Sequence, residues 1–312
     1  MLSRLLVLIL AALGVPPKPA APRQARDTTR VVVVVSQDAA PYREALAGFR
    51  KELERGNSIL TFQVLQLQGD SGRAAQVLAQ ARAGRVSLVL ALGTLATRES
   101  LQRYRGIPLV AGMILTPSEL EGAPNATGVF LQFPVETELE WLVRLLPGQR
   151  RVGVLYHSAE AKDRVAQAQK LAAGVNLNIQ AYEVDAPQQI PDALQSLSNR
   201  ADVLWGITDP MIYNAETAKS LLVFSFQHQI PLVGQSTPWV KAGALYALDR
   251  DYGDIGVQCA QLAAKILEGK APSSLAPMAP RKVKYALNRR TAAQMKVEFP
   301  DRVVHDAAEV VD

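Results

Sequence analysis

The sequence predicts an α/β fold in which each of two lobes contains a parallel β-sheet flanked by helices. Short apolar runs alternate with amphipathic helical segments, and this alternation starts a second time in the middle of the chain. The length of 312 residues also exceeds what one hydrophobic core normally serves. Strands joined through helices lie parallel with right-handed crossovers, so we expect two Rossmann-like lobes.

The first half contains predicted strands separated by helices. The strands are at 28–37, 59–69, 86–94 and 107–114, and the helices are at 41–56, 71–84 and 94–104. Gly56 and Gly84 end the first two helices, because glycine adopts the left-handed backbone of a helix C-terminus at little cost. Strands that are apolar on both faces are typical of the interior of a parallel sheet.

The second half repeats this plan. A helix at 136–148 ends at Pro147 and Gly148, and the alternation then restarts. The strands are at 150–158, 178–184, 201–209, 230–236 and 243–251, and the helices are at 161–174, 190–199 and 216–229. The tetrapeptide IPLV follows a helix in both halves, at 107–110 and 230–233. We therefore expect two similar open sheets with a crevice between them.

The C-terminal part departs from the alternation. A helix is predicted at 251–270, followed by a Pro-rich connector at 271–280 and a strand at 281–288. Cys259 lies on the apolar face of that helix and is expected to be a core residue. Residues 301–312 have no packing pattern, and we expect a disordered tail there.

The N-terminus has the pattern of a signal peptide. Arg4 precedes an apolar run at 5–15, which is too short to span a bilayer but suits a signal-peptide core. We expect a signal peptide at 1–25 and export to the periplasm, with an uncleaved membrane anchor as the alternative. Cys259 is the only cysteine and lies far from this leader, so neither a lipid anchor nor an intrachain disulfide is expected.

The charge pattern does not indicate a nucleic-acid partner. The formal net charge is +5 and the pI is about 9.3, but the 34 Lys and Arg residues are scattered along the chain. A transcriptional regulator of related fold would need a helix-turn-helix before Thr29, where the apolar leader lies. We therefore expect no nucleic acid among the partners.

Motifs for cofactors and catalysis are also missing. No G-x-G-x-x-G follows the first strand, and the chain has no P-loop. The three His residues and one Cys show no metal-ligand spacing. These absences argue against an enzyme, and we expect no cofactor and no metal.

Several sequence segments occur together in the order and spacing of a known family. They are the QGD turn at 68–70, the Gly-Thr loop at 93–94, NATGVFLQFPVETELEWLVRLLP at 125–147, RVGVLYHSAEA at 151–161, the Thr208-Asp209 pair and the segment 243–272. Together they resemble substrate-binding proteins of ABC transporters with the type I periplasmic fold. The resemblance extends from about Val31 to Met295. Within this family, the chain resembles the branch whose ligands are largely uncharacterised and which includes some proteins that bind aromatic amino acids.

The resemblance implies where the two lobes begin and end. They would be joined by three hinge crossings, near 146–150, 248–251 and 271–281. The N-terminal lobe would comprise 29–147 plus 251–270, and the C-terminal lobe 148–250 plus 281–300. The helix at 251–270 would therefore return to the first lobe.

The resemblance also implies a function. The protein would act as a monomer that captures a small molecule, such as an amino acid or a related zwitterion, by hinge closure of the cleft between its lobes. It would deliver this ligand to an ABC permease in the inner membrane. The alternative is a periplasmic ligand-sensing subunit that docks on a membrane signalling protein, and the sequence leaves both open.

The carboxyl ends of the predicted strands indicate the ligand site, because ligands of open parallel sheets bind beyond those ends. The first lobe contributes Ser36, Gln37, Gly93, Thr94, Leu95 and Thr116, and the second contributes His157, Ser158, Asp209, Tyr213 and Ser236. Hydroxyl groups and helix N-terminal amides can hold a carboxylate, and Asp209 could accept a ligand ammonium. Capping of the helices that follow is the alternative role for the Ser, Thr and Asp residues.

Two loops depart from the family pattern. Where many members read Thr-Asp-Pro after the strand of the first lobe, this chain reads Leu115-Thr116-Pro117, so a carboxylate is missing. Where many read Asn-Pro-Ser-Glu, this chain reads His157-Ser158-Ala159-Glu160. These departures leave the identity of the ligand open, as well as whether high-affinity binding is retained.

Overall fold

A computed structural model describes residues 29–56, 59–81 and 85–312. The predicted signal peptide at 1–25 lies outside these residues. The described chain forms two β-sheets, of five and seven strands, flanked by helices. The predicted α/β architecture with two lobes is therefore confirmed.

The first lobe contains a sheet that is parallel throughout. Its strands are β1 (Thr29–Val35), β2 (Leu60–Gln66), β3 (Leu88–Leu92), β4 (Leu109–Ile114) and β5 (Ala126–Phe130), and its helices are α1 (Ala40–Leu53), α2 (Ser71–Ala81), α3 (Thr94–Arg103) and α9 (Tyr252–Leu267). The strand order is β2-β1-β3-β4-β5. β3 and β4 are buried along their whole length, with α2 and α3 on one face of the sheet and α1 and α9 on the other.

Two glycines let α1 and α9 approach each other closely. A Cβ at Gly256 would lie 1.9 Å from the carbonyl oxygen of Ala45, and a Cβ at Gly48 would lie 2.1 Å from that of Gly253. A side chain fits at neither position without moving the backbone. α9 thus packs in the first lobe, although it follows most of the second lobe in the sequence.

The second lobe contains a mixed sheet of order β12-β11-β10-β9-β8-β6-β7. The strands are β6 (Arg151–Tyr156), β7 (Asn178–Glu183), β8 (Val203–Trp205), β9 (Leu232–Gly234), β10 (Tyr246–Arg250), β11 (Val283–Asn288) and β12 (Glu309–Val311). The helices are α4 (Val135–Leu145), α5 (Ala159–Ala172), α6 (Ile190–Leu197), α7 (Ala215–His228), α8 (Thr237–Ala242), α10 (Arg289–Gln294) and α11 (Asp301–His305). β11 is antiparallel to β10, and the other strand pairs are parallel.

α4 packs in the second lobe, whereas the expected lobe boundary at 147 places it in the first. Its buried residues Leu139, Leu142 and Leu145 belong to the same hydrophobic cluster as β6 and α5. The chain therefore passes from the first lobe to the second at 131–134, before α4 rather than after it. An amphipathic helix needs an apolar partner, but its sequence does not specify which of two sheets provides it.

The C-terminal residues are ordered, so the expectation of a disordered tail at 301–312 is wrong. β12 pairs with β11, with Glu309 opposite Ala286 and Val311 opposite Asn288. The hydroxyl of Tyr285 donates a hydrogen bond to the carbonyl of Val303, with an O···O distance of 2.8 Å. A three-residue edge strand is too short to show a periodic pattern in the sequence.

The last connection between the lobes contacts the first lobe at two places. Met278 pairs with β5, donating its N–H to Gly128 and accepting the N–H of Phe130. Arg281 forms two hydrogen bonds with Asp254 in the first turn of α9, at 2.8 and 3.0 Å. These contacts fasten the last connection to elements of the first lobe.

Candidate functional site

The first-lobe part of the site is built around the N-terminus of α3. Ser36 follows β1 and is buried, and its Oγ accepts the backbone N–H of Ala96 at 2.9 Å. Gly93 precedes the helix with a φ of +92°, and a Cβ there would lie 2.6 Å from Ser36 Oγ. Ser36 thus caps α3 from a neighbouring loop, and Gly93 is the residue that makes room for it.

This capping arrangement leaves two amides of α3 without a partner. Among the described residues, no oxygen accepts the N–H of Thr94 or Leu95. The side chain of Thr94 is exposed, and neither its hydroxyl nor the exposed amide of Gln37 has a partner in the described chain. Unpaired amides at a helix N-terminus suit an anion, because the positive end of the helix dipole points at it.

The loop after β4 is closed by its own hydrogen bonds. Glu119 Oε1 accepts the backbone N–H groups of Leu115 and Thr116, at 2.5 and 3.3 Å. Thr116 is buried, and its hydroxyl oxygen lies 2.7 Å from that of Ser118. Glu119 thus supplies a carboxylate to this loop, three residues after the position where the family pattern has Asp.

Asp209 holds two loops of the second lobe together. It is 1% exposed, and its Oδ2 accepts the backbone N–H groups of His157 and Ser158 at 2.8 and 2.9 Å. Its Oδ1 accepts the N–H of Met211 at 3.2 Å. Because these donors lie in its own lobe, the geometry favours a positioning role for Asp209 over the predicted contact with a ligand ammonium.

Tyr213 is also directed into its own lobe. It is 7% exposed, and its hydroxyl donates a hydrogen bond to the carbonyl of Trp205 at 3.2 Å. Burial raises the pKa of this hydroxyl. This placement differs from the predicted ligand contact. The exposed His157 has Nδ1 2.9 Å from the carbonyl oxygen of Val184.

Two serines follow strands of the second lobe and precede helices. Ser158 caps α5, since its Oγ accepts the N–H of Ala161 at 3.2 Å. Ser236 precedes α8 and is half-buried, and its hydroxyl has no partner among the described residues. Ser236 is therefore available to a ligand, whereas Ser158 is engaged with Asp209 and its own helix.

The two lobes meet at the rim of the cleft. The hydroxyl of Ser118, in the loop after β4, donates to Glu160 Oε2 in the first turn of α5 at 3.1 Å. This bond joins the carboxyl edge of the first sheet to that of the second. Ser118 and Glu160 thus hold the two lobes in contact at this point.

Sequence reasoning missed a small cavity at the ends of β8, β9 and β10. Its volume is about 20 Å³, roughly the space of one water molecule. Its lining includes Phe133, Glu138, Trp205, Thr208, Gln235, Tyr246 and Arg250. Arg250 is the last residue of β10, so the expectation that ligands bind beyond strand ends could have selected it. Glu138 lies within a helix, and no local signal marks it.

Arg250 fixes the hinge side of this cavity. Its Nε donates to the carbonyl of Leu131 at 2.7 Å, and its Nη1 donates to that of Gln235 at 2.8 Å. The guanidinium carbon lies 4.9 Å from the centre of the Phe133 ring. One side chain thus joins the connection at 131–134 to the strand ends of the second lobe.

Two kinds of feature are absent from residues 29–56, 59–81 and 85–312. These residues contain no cluster of three or more His, Cys, Asp or Glu side chains placed to hold a metal ion. They also contain no helix with the length and apolar character needed to cross a membrane.

The fold is similar to solved structures of binding proteins. The ABC domain from Streptococcus pneumoniae in complex with L-Trp is 20% identical, with a TM-score of 0.63 over 91% of this chain and 100% of that one. The ligand-free, open structure of a Clostridium difficile substrate-binding protein with adhesive properties is 18% identical, with a TM-score of 0.73 over 91% and 99%. At these identities the similarity establishes the type I periplasmic binding protein fold.

Sequence comparison identifies the family. A protein of Clostridioides difficile named tyrosine-binding protein is 24% identical over 243 residues, which are 73% of this chain and 69% of that protein. Residues 29–311 match the model of a family described as ABC transporter substrate binding protein. The resemblance seen in the sequence motifs is thereby confirmed, and this chain belongs to the ABC transporter substrate-binding protein family.

Proposed function

We propose that this protein captures an amino acid or a related zwitterion between its lobes and delivers it to an ABC permease in the inner membrane. The observation that carries the proposal is the pair of unpaired amides at Thr94 and Leu95. They lie at the carboxyl edge of the first sheet, where that edge faces the second lobe. An α-carboxylate is a small anion that matches them.

The carboxylate would bind to α3 without a buried Lys or Arg. The N–H groups of Thr94 and Leu95 and the hydroxyl of Thr94 provide three donors on adjacent residues. Each interaction of this kind at a helix N-terminus contributes about 0.3–1 kcal/mol, and up to about 2 kcal/mol when it is partly buried. Ser36 and Gly93 support the site by setting the position of the helix.

The ammonium group would face the second lobe. Asp209 is engaged by backbone amides, so it shapes the loop at His157 and Ser158 rather than accepting the ammonium. The free hydroxyl of Ser236 is an acceptor on that side, and Gln37 offers a carbonyl from the first lobe. The oxygens of Ser236 and Gln37 would thus accept the ammonium group in place of the Asp209 carboxylate that the sequence predicted.

Relatives of this chain support an amino acid as the ligand. One solved relative holds L-Trp, and one curated relative is named for tyrosine. The shared feature of these ligands is the α-amino acid group.

Closure would couple binding to delivery. A ligand shifts the lobes toward the closed form only if it binds that form better than the open one. The hydrogen bond between Ser118 and Glu160 joins the two lobes at the rim and would help to hold them together. The permease would then recognise the closed protein, which acts as a monomer in the periplasm after removal of residues 1–25. A sensor subunit would bind its ligand in the same way, and no contact in the described chain favours that alternative.

A thermal-shift screen of amino acids tests the proposal. We expect at least one amino acid to raise the melting temperature, because a ligand that binds only the native state stabilises it. The matching amino-acid amide, which lacks the carboxylate, should give little shift. Stabilisation by sugars or purines, with none by any amino acid, would contradict the proposed ligand class.

A further inference from the structure

Asp249 lies where the chain leaves the second lobe for the first, and both of its carboxylate oxygens are engaged. Oδ2 accepts the hydroxyl of Thr237 at 2.7 Å, and Oδ1 accepts the hydroxyl of Tyr252 at 3.0 Å. All three side chains are half-buried. One carboxylate thus contacts the start of α8 in the second lobe and the start of α9 in the first.

The bond between Asp249 and Tyr252 spans a hinge. β10 ends at Arg250 and α9 begins at Tyr252, so a rotation of the lobes about this connection changes the backbone torsions at 250–251. The ring of Tyr252 packs on the hydrophobic cluster of the first lobe. Burial and the charge of Asp249 raise the pKa of Tyr252, so its hydroxyl keeps the proton that it donates. The bond therefore resists a change in the angle between the lobes.

The bond between Asp249 and Thr237 extends this contact to the loop after β9. Thr237 directly follows Ser236, the proposed acceptor for the ligand ammonium. On the other side of Ser236, the carbonyl of Gln235 accepts Arg250 Nη1 at 2.8 Å. Ser236 therefore lies between two residues that are each fastened to the end of β10, one by Asp249 and one by Arg250.

A carboxylate is the group that this arrangement needs. Each of the two hydroxyl groups has one proton to donate, and a carboxylate has an acceptor oxygen for each of them. The amide of an Asn side chain would offer only one acceptor oxygen. Hydrogen bonds to an ionised acceptor are also stronger than those between neutral groups. Asp249 can therefore hold both donors at the same time.

We propose that Asp249 is a positioning residue that couples the loop at Ser236 to the hinge at 250–251, and so sets the balance between the open and closed arrangements of the lobes. This inference rests on the closure of the lobes in the proposed function, but not on the chemical class of the ligand. Because only the binding-competent fraction takes up ligand, a change in that fraction scales the affinity for every ligand by the same factor.

The test measures the distance between the lobes in the ligand-free protein by double electron–electron resonance. Spin labels are attached to Lys51→Cys in α1 and Lys170→Cys in α5, which replace exposed residues on different lobes. Cys259 is the only native cysteine and is buried, so it does not compete for the label. The same pair of labels is used in every variant.

Tyr252→Phe and Thr237→Val each remove one hydroxyl that donates to Asp249. In each variant, the ratio of molecules inside the wild-type distance peak to molecules outside it should fall about threefold or more, because the lost bond no longer stabilises one lobe angle. Combining the two substitutions should add little, since both act through the same carboxylate. Tyr182→Phe is the matched control. Its hydroxyl accepts from Arg200 at 3.1 Å within the second lobe, so the distribution should stay as in the wild type.

Wild-type distance distributions in both variants would overturn this inference and leave the proposed ligand class untouched. A shift confined to one of the two variants would also overturn it, because Asp249 would then not couple the loop at Ser236 to the hinge. So would an equal shift in Tyr182→Phe, which would trace the change to the loss of any tyrosine hydroxyl. Failure of the amino-acid screen, by contrast, would contradict the ligand class and leave these distances as predicted.

Discussion

Asp209 accepts the backbone N–H of Ser158 at 2.9 Å and thereby fastens the loop after β8 to the loop after β6. The same oxygen accepts the N–H of His157 at 2.8 Å, and the side chain is 1% exposed. A buried carboxylate with several backbone donors is a structural anchor. It sets the geometry of two strand-end loops of the second lobe.

Asp209→Ala should destabilise the protein and weaken ligand binding indirectly. The substitution leaves several buried N–H groups without an acceptor, at a cost of about 1–3 kcal/mol in the free energy of unfolding. Denaturant unfolding measures this loss. Affinity for an amino acid and for its deaminated analogue should fall by the same factor. A loss confined to the ligand that carries the amine would instead show direct contact between Asp209 and the ammonium.

Gly93→Ala should lower the free energy of unfolding for two reasons, a strained backbone and a steric clash with Ser36. Gly93 has a φ of +92°, and the new Cβ would lie 2.6 Å from Ser36 Oγ. We expect a loss of about 1–3 kcal/mol in the free energy of unfolding. Gly148→Ala is the control, because nothing lies within 4 Å of a Cβ there and its φ is not in the left-handed region. Equal stability of the two variants would contradict the capping arrangement at α3.

Asp254→Asn should reveal a pH-dependent contribution to stability. Burial raises the pKa of Asp254, but hydrogen bonds and charges from Arg281 and Lys282 outweigh burial and hold the pKa below its usual value. A carboxylate with a lower pKa in the folded state stabilises the protein above its unfolded pKa of about 3.9. This contribution is lost as the pH falls through the lower, folded pKa.

The difference between wild type and Asp254→Asn should therefore be largest near neutral pH. We expect about 1–2 kcal/mol there, less than for a fully buried pair because both cations are about half exposed. Melting temperatures measured from about pH 7 to pH 3 should converge at the acid end. A difference that is constant with pH would exclude the ion pairs as its source.

Ser118→Ala should favour the open form. The hydroxyl of Ser118 donates to Glu160 across the rim, and an exposed contact of this kind contributes up to about 1 kcal/mol. The ligand should then dissociate up to about fivefold faster, as measured by stopped-flow. Ser196→Ala is the control, since that hydroxyl donates within its own helix, to the carbonyl of Asp192. Equal dissociation rates in both variants would remove this rim contact from the closure mechanism.

Much of the fold follows from local sequence patterns. The buried runs of β1, β3 and β4 and the helices between them were predictable because apolar periodicity records burial. The lobe that α4 joins was not predictable, because the apolar face of a helix fits either sheet. β12 was missed for a different reason, since its three residues gain their order from pairing with β11.

The hydrogen bonds of the predicted site residues could not be read from the sequence, although their places at strand ends could. The rule that ligands lie beyond strand ends selected Ser36, Thr94 and Asp209, and the structure places each of them just after a strand. It could not distinguish a ligand contact from a cap or an anchor, because this depends on hydrogen bonds between distant loops. Glu138 and Tyr246 were missed because each meets the cavity only through tertiary packing.

Calorimetric titration of Thr94→Pro tests the central claim most directly. Proline at the first position of a helix is well tolerated, and here it removes the free N–H and hydroxyl of Thr94 from the proposed carboxylate site. With the amino acid found in the screen, we predict affinity at least about tenfold weaker than wild type, whereas Thr94→Ser, which keeps both donors, should bind like wild type. Wild-type affinity in a folded Thr94→Pro protein would contradict the proposal that α3 holds the ligand carboxylate between the lobes.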